Sequence, residues 1–80
     1  MIEISDESMT LVVDGETVAT ARWSWYAVAD GNGAWIVSTL PKRLLTRNQA
    51  ITALTLAERL AAGYGDSDPF VQSWRAELFL

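Results

Sequence analysis

Apolar and polar residues alternate along the first half of the chain and recur with a period near 3.6 in the second, so the sequence predicts strands followed by helices. The runs Met9-Thr10-Leu11-Val12-Val13 and Glu16-Thr17-Val18-Ala19-Thr20 flank Asp14-Gly15. Asp-Gly between two β-prone runs is a strong hairpin signal, because a type I′ turn needs positive φ at both central residues. This turn pairs Val13 with Glu16 and Leu11 with Val18. The second strand is expected to continue through Trp25 and Val28 to a second turn at Asp30-Gly31-Asn32-Gly33, which returns the chain into a third strand, residues 34–40. Pro41 has no amide hydrogen to donate and should end the ladder. The result is a three-stranded antiparallel meander.

Strict alternation then sorts the side chains onto two faces. One holds Val12, Ala19, Ala21, Trp23, Trp25, Ala27, Ile36 and Leu40. The other holds Met9, Leu11, Val13, Val18, Tyr26, Val28, Trp35 and Val37, interrupted by Thr20, Arg22, Ser24 and Thr39. Both faces are too apolar for plain solvent exposure.

Two helices follow. Thr46-Arg47-Asn48-Gln49 has the form of a capping box and Gly63 supplies a left-handed stop, so the first helix should run from about Arg47 to Ala62. At 100° per residue its apolar positions, Ala50, Ile51, Ala53, Leu54, Leu56, Ala57, Leu60 and Ala61, cover an arc of about 220°, which needs more than one packing partner. Asp68-Pro69 reads as an N-cap with proline in the first turn, and Phe70, Val71, Trp74 and Leu78 form the stripe of a second helix. The expected fold is α+β, a three-stranded antiparallel β-meander followed by two α-helices packed on one sheet face, in a single domain spanning residues 1–80. The face with Ala19, Ala21 and Ala27 is the expected helix floor, because small residues admit a helix while indoles fill its flanks.

Composition narrows the chemistry. The chain has 80 residues with neither histidine nor cysteine, so disulfides, thiolate zinc sites, a cysteine nucleophile and the usual general base are all excluded. No catalytic residue, metal ligand set or cofactor is expected, and Asp66-Ser67-Asp68 reads as turn and helix cap rather than a cation loop. The opening residues carry no basic and apolar leader, and no stretch approaches a membrane span, which together suggest a cytoplasmic protein. The net charge of -4 conceals segregation. Residues 1–30 carry six acidic groups against Arg22, whereas residues 31–59 carry Lys42, Arg43, Arg47 and Arg59 against Glu58.

Two surfaces are candidate sites. With the helices on the alanine face, Leu11, Val18, Tyr26, Val28, Trp35 and Val37 remain uncovered, and an exposed apolar patch of that kind marks a partner interface. A second copy is the simplest partner, a host protein the next. The alternatives are that residues 2–4 or 78–80 fold over the patch, or that the face assignment is inverted. The other candidate is basic. Lys42, Arg43 and Arg47 lie where the third strand passes into a helix N-terminus, a place suited to phosphate, with Arg22 on the sheet as a further nucleic-acid contact. The acidic strand-one end, Glu3, Asp6, Glu7, Asp14 and Glu16, reads as edge protection.

The segment from Trp35 through Pro41 to Leu44-Leu45-Thr46-Arg47-Asn48-Gln49-Ala50-Ile51 resembles small uncharacterised proteins of actinobacteria and their phages, over roughly residues 22–62. The order of three strands and a helix opened by Thr46-Arg47-Asn48-Gln49-Ala50 is similar to the arm-binding domains of tyrosine-family phage integrases, a resemblance that implies DNA contacts at Arg22, Arg43 and Arg47. Asp30-Gly31 to Leu40-Pro41 followed by a helix is similar to HicB-type antitoxins, without the glycine-cysteine that follows their proline. The expected function is a non-enzymatic protein-interaction module, homodimeric, serving as a phage or mobile-element accessory or regulatory protein. The alternative is a small DNA-binding domain.

Overall fold

The computed structural model describes residues 1–24 and 34–80. These form a five-stranded antiparallel sheet and two helices, α+β as expected but with two more strands. The strands are β1 (Ile2–Ile4), β2 (Ser8–Val13), β3 (Glu16–Ser24), β4 (Ala34–Val37) and β5 (Leu40–Leu45), and they neighbour one another in chain order. Helices α1 (Arg47–Ala61) and α2 (Pro69–Glu77) follow. The expected turn at Asp30–Gly33, and the side chains of Trp25, Tyr26, Ala27 and Val28, lie outside the described residues.

Local chemistry explains the elements that match. Asp14 and Gly15 both take positive φ, 53° and 82°, and Val13 pairs with Glu16 across the turn. Thr46 accepts from the Gln49 amide while the Gln49 side chain accepts from the Thr46 amide, so the capping box at the start of α1 is complete. Asp68 accepts from the Val71 amide at 3.0 Å and Pro69 opens α2.

The face assignment is corrected by one residue. Val12 pairs with Thr17, but Leu11 pairs with Ala19 rather than Val18, so Val18 is an extra, unpaired residue in β3. Such a β-bulge reverses which residues beyond it face the core. Ala19, Ala21 and Trp23 therefore join Met9, Leu11 and Val13 on one face. The partnering of β3 with β4 shifts parity in the same sense, placing Ala21 opposite Val37 and Trp23 opposite Trp35. The two half-apolar faces expected from strict alternation resolve into one apolar face and one more polar face carrying Thr10, Thr20, Arg22 and Ser24 together with Val12 and Ile36.

The helices cover the apolar face. Met9, Leu11, Ala19, Ala21, Trp35, Val37 and Leu45 are buried beneath Ala50, Ala53, Leu54 and Leu56 of α1, with Val71 of α2 and Leu78, the residue that caps it, completing the core. Alanines on both layers let α1 sit close to the sheet, as the sequence suggested, but over a different set of neighbours.

Pro41 does not end the sheet. It lies inside β5, the edge strand, where a missing amide hydrogen leaves no ladder bond unmade if it faces outward. The pairing of β4 with β5 is irregular, with Val37 opposite Leu40 and Trp35 opposite Leu45. At the other edge, β1 pairs Ile2 with Leu11 and Ile4 with Met9. Residues 2–4 thus extend the sheet instead of folding over it.

Candidate functional site

Three of the six expected interface residues are core residues. Trp35 is 4% exposed, and Leu11 and Val37 have no exposed surface. A side chain beneath α1 cannot anchor a partner, so the expectation of an uncovered face at these positions is overturned by the packing of α1 over them. Val18 is 50% exposed, as the unpaired bulge residue. Tyr26 and Val28 lie outside the described residues.

The basic candidates are dispersed. Arg22 stands on the polar sheet face, in a shallow hollow of about 490 Å³ lined by Thr20, Ser24, Ile36, Ser38 and Pro41. Lys42 and Arg47 are exposed, on β5 and in the first turn of α1. Arg43 is already employed: its Nη2 donates to the Leu78 carbonyl at 2.7 Å and ties β5 to the end of α2. The arrangement leaves one arginine among hydroxyls on the open sheet and two cations at a separate corner.

A surface that sequence reasoning did not locate lies on the helical side. Ala53, Leu56, Ala57 and Leu60 follow the i, i+3, i+4, i+7 pattern along α1 and form one wall of a groove of about 270 Å³. Thr39 and Leu40 at the β4–β5 turn, with Arg75, Leu78 and Leu80 from the end of α2, form the remainder. Leu60 is 38% exposed and Leu80 is 53% exposed at its rim. The wide apolar arc of α1 was the signal for it: the sheet takes one part of the arc, α2 a second, and the groove is the part left over.

Arg75 is the charged residue of the groove. Its Nη2 meets Asp66 Oδ1 at 3.1 Å, an exposed pair worth little, and its Nε is buried with no hydrogen-bond partner. By contrast, Arg59 is fully engaged. Its Nε and Nη2 donate to the two carboxylate oxygens of Asp68 at 2.8 and 2.9 Å, and its guanidinium lies 3.8 Å from the Tyr64 ring centre and 4.8 Å from that of Phe70. This two-point clasp, with the bond from Thr52 to Glu77 at 3.1 Å, fixes α2 against α1 and so sets the groove's width.

Asp68 therefore has two structural duties, capping α2 and holding Arg59. The bonds from Arg59 keep its carboxyl below the usual carboxylate range, burial opposes them, and the Val71 amide adds to them. A group with a lowered folded-state pKa stabilises the fold above its unfolded pKa and loses that contribution as pH falls through the folded value. Asp68→Asn, which retains a cap acceptor but not the charge, should melt below the wild type at pH 7. The difference should close below about pH 4. Thermal melts of both proteins across that range provide the check, and a constant difference would remove the ion pair from the account.

No protein-family model, curated protein or solved structure matches this chain. Its surfaces are the basis for any functional reading.

Proposed function

We propose that the chain is a non-enzymatic protein-interaction module that associates as a two-fold homodimer through the groove between α1, α2 and the β4–β5 turn. An accessory or regulatory role in a phage or mobile element fits this reading. The observation that carries it is the groove itself, an apolar channel whose rim leucines, Leu60 and Leu80, are exposed to water. A self-complementary patch closes an assembly at two copies.

Light scattering at micromolar concentration should give twice the monomer mass for the wild type. Leu60→Asp, at a rim position that can accept a solvated charge, should give the monomer with little change in melting temperature. A wild-type protein that stays monomeric to millimolar concentration contradicts the proposal.

A second reading has one specific observation in its favour. The uncovered sheet face is polar and presents Arg22 among the hydroxyls of Thr20, Ser24 and Ser38, a composition that suits nucleic-acid phosphates. Such binding would weaken steeply with salt and fall further in Arg22→Gln. Against it stand the net charge of -4 and the diversion of Arg43 to Leu78. We therefore place DNA binding second.

A further inference from the structure

Both helices end in the same backbone motif, with different residues at its left-handed position. After α1, Gly63 at φ 99° donates to the Leu60 carbonyl, and Tyr64 donates to that of Arg59. After α2, Phe79 at φ 59° donates to the Ala76 carbonyl, and Leu80 donates to that of Arg75. Glycine is the usual occupant, because a Cβ is crowded in this conformation. Phenylalanine accepts that strain while remaining largely exposed among the described residues. Its side chain is 81% exposed, the highest value among the large apolar residues described.

We propose that Phe79 is an interface knob which enters the groove of a second copy of this chain, each copy supplying the ring that fills the other's groove. The inference rests on the self-association reading above and goes beyond it by naming the contact that carries the dimer. Three observations support it. Phe79 lies between Leu78 and Leu80, both of which line the groove, so knob and hole are neighbours in the chain, as a two-fold exchange permits. A dry apolar cavity of ~150 Å³ already accommodates a benzene ring, and the groove measures about 270 Å³. The groove's charged residue is a guanidinium, complementary to the negative face of an arriving aromatic ring. The chain already uses that pairing where Arg59 stacks on Tyr64 and Phe70.

The test is Phe79→Gly, which places the favoured residue at the left-handed position. It should leave the melting temperature of the monomer unchanged or raised while weakening the dimer at least about 30-fold by sedimentation equilibrium, as expected for an anchor residue. Ala57→Trp, which fills the hole, should weaken self-association likewise. Mixing the two variants should restore a heterodimer, since one retains a hole and the other a knob. If Leu60→Asp dissociates the dimer but Phe79→Gly changes its constant less than threefold, the dimer stands and the knob is overturned. A wild type that is monomeric at all concentrations overturns both.

Discussion

A Trp35→Ala variant is expected to lose about 3–5 kcal/mol of stability, the range for removing a large aromatic side chain from a packed core. The indole is 4% exposed, stands opposite Trp23 and Leu45 in the sheet, and lies in the cluster covered by α1. A domain of 80 residues carries roughly 4–12 kcal/mol in total. The substitution thus removes a large share of it. With each kcal/mol moving the midpoint by about 4–8 °C at this size, the melting temperature should fall by at least ~12 °C. Had Trp35 stood on an uncovered face, the same substitution would have weakened association and left the midpoint nearly fixed. Thermal denaturation followed by circular dichroism separates the two, and a shift below about 5 °C would place the residue outside the core.

The second large effect is an asymmetry between adding and removing one residue at Val18. Deleting Val18 leaves Val12 opposite Thr17 and Leu11 opposite Ala19, the pairing already present, with the bulge gone. The fold should persist, with a loss within the ~0.5–3 kcal/mol of ordinary substitutions. Inserting an alanine after Val18 offers no such escape. Either the strand accommodates two unpaired residues, or β2 slips two residues along β3, or Thr20 and Arg22 rotate toward the core. An uncompensated guanidinium there costs several kcal/mol, enough to unfold the domain. Urea titrations of the two proteins should therefore differ widely although each departs from the wild type by one residue. Equal losses would mean that the bulge does not set the face.

These two cases also show what could be read from the residues alone. The helices were legible because their signals are local: Thr46 with Gln49 at one start, Asp68 with Pro69 at the other, and Gly63 at the stop between them. The Asp14-Gly15 turn was legible for the same reason. Sheet register beyond the turn is not local, since one unpaired residue at Val18 moves every later residue of β3 to the other face. A signal for it did exist. Thr20, Arg22 and Ser24 alternate with Ala19, Ala21 and Trp23, and only a bulge lets the apolar set share a face with Met9, Leu11 and Val13. Pro41 misled because its exclusion from ladders holds for central strands, whereas β5 lies at an edge. The groove was half legible: the arc of α1 announced surplus apolar surface, but its place depended on where α2 docked. Phe79 carried no local signal, because nothing in its sequence context demands a left-handed residue.

The functional consequence is a change of side. An apolar interface expected on the sheet is replaced by a polar sheet face and an apolar groove among the helices. The clasp of Arg59 with Asp68 supports that groove from behind, and the bond from Arg43 to Leu78 holds its far end.

The most direct measurement is amide hydrogen exchange on the wild-type protein at nanomolar and at micromolar concentration. Self-association through the groove predicts that raising the concentration slows exchange in the last two turns of α1, at the β4–β5 turn and at the end of α2, while the other face of β2 and β3 is unchanged. Protection confined to β2 and β3, or no change anywhere, would contradict it.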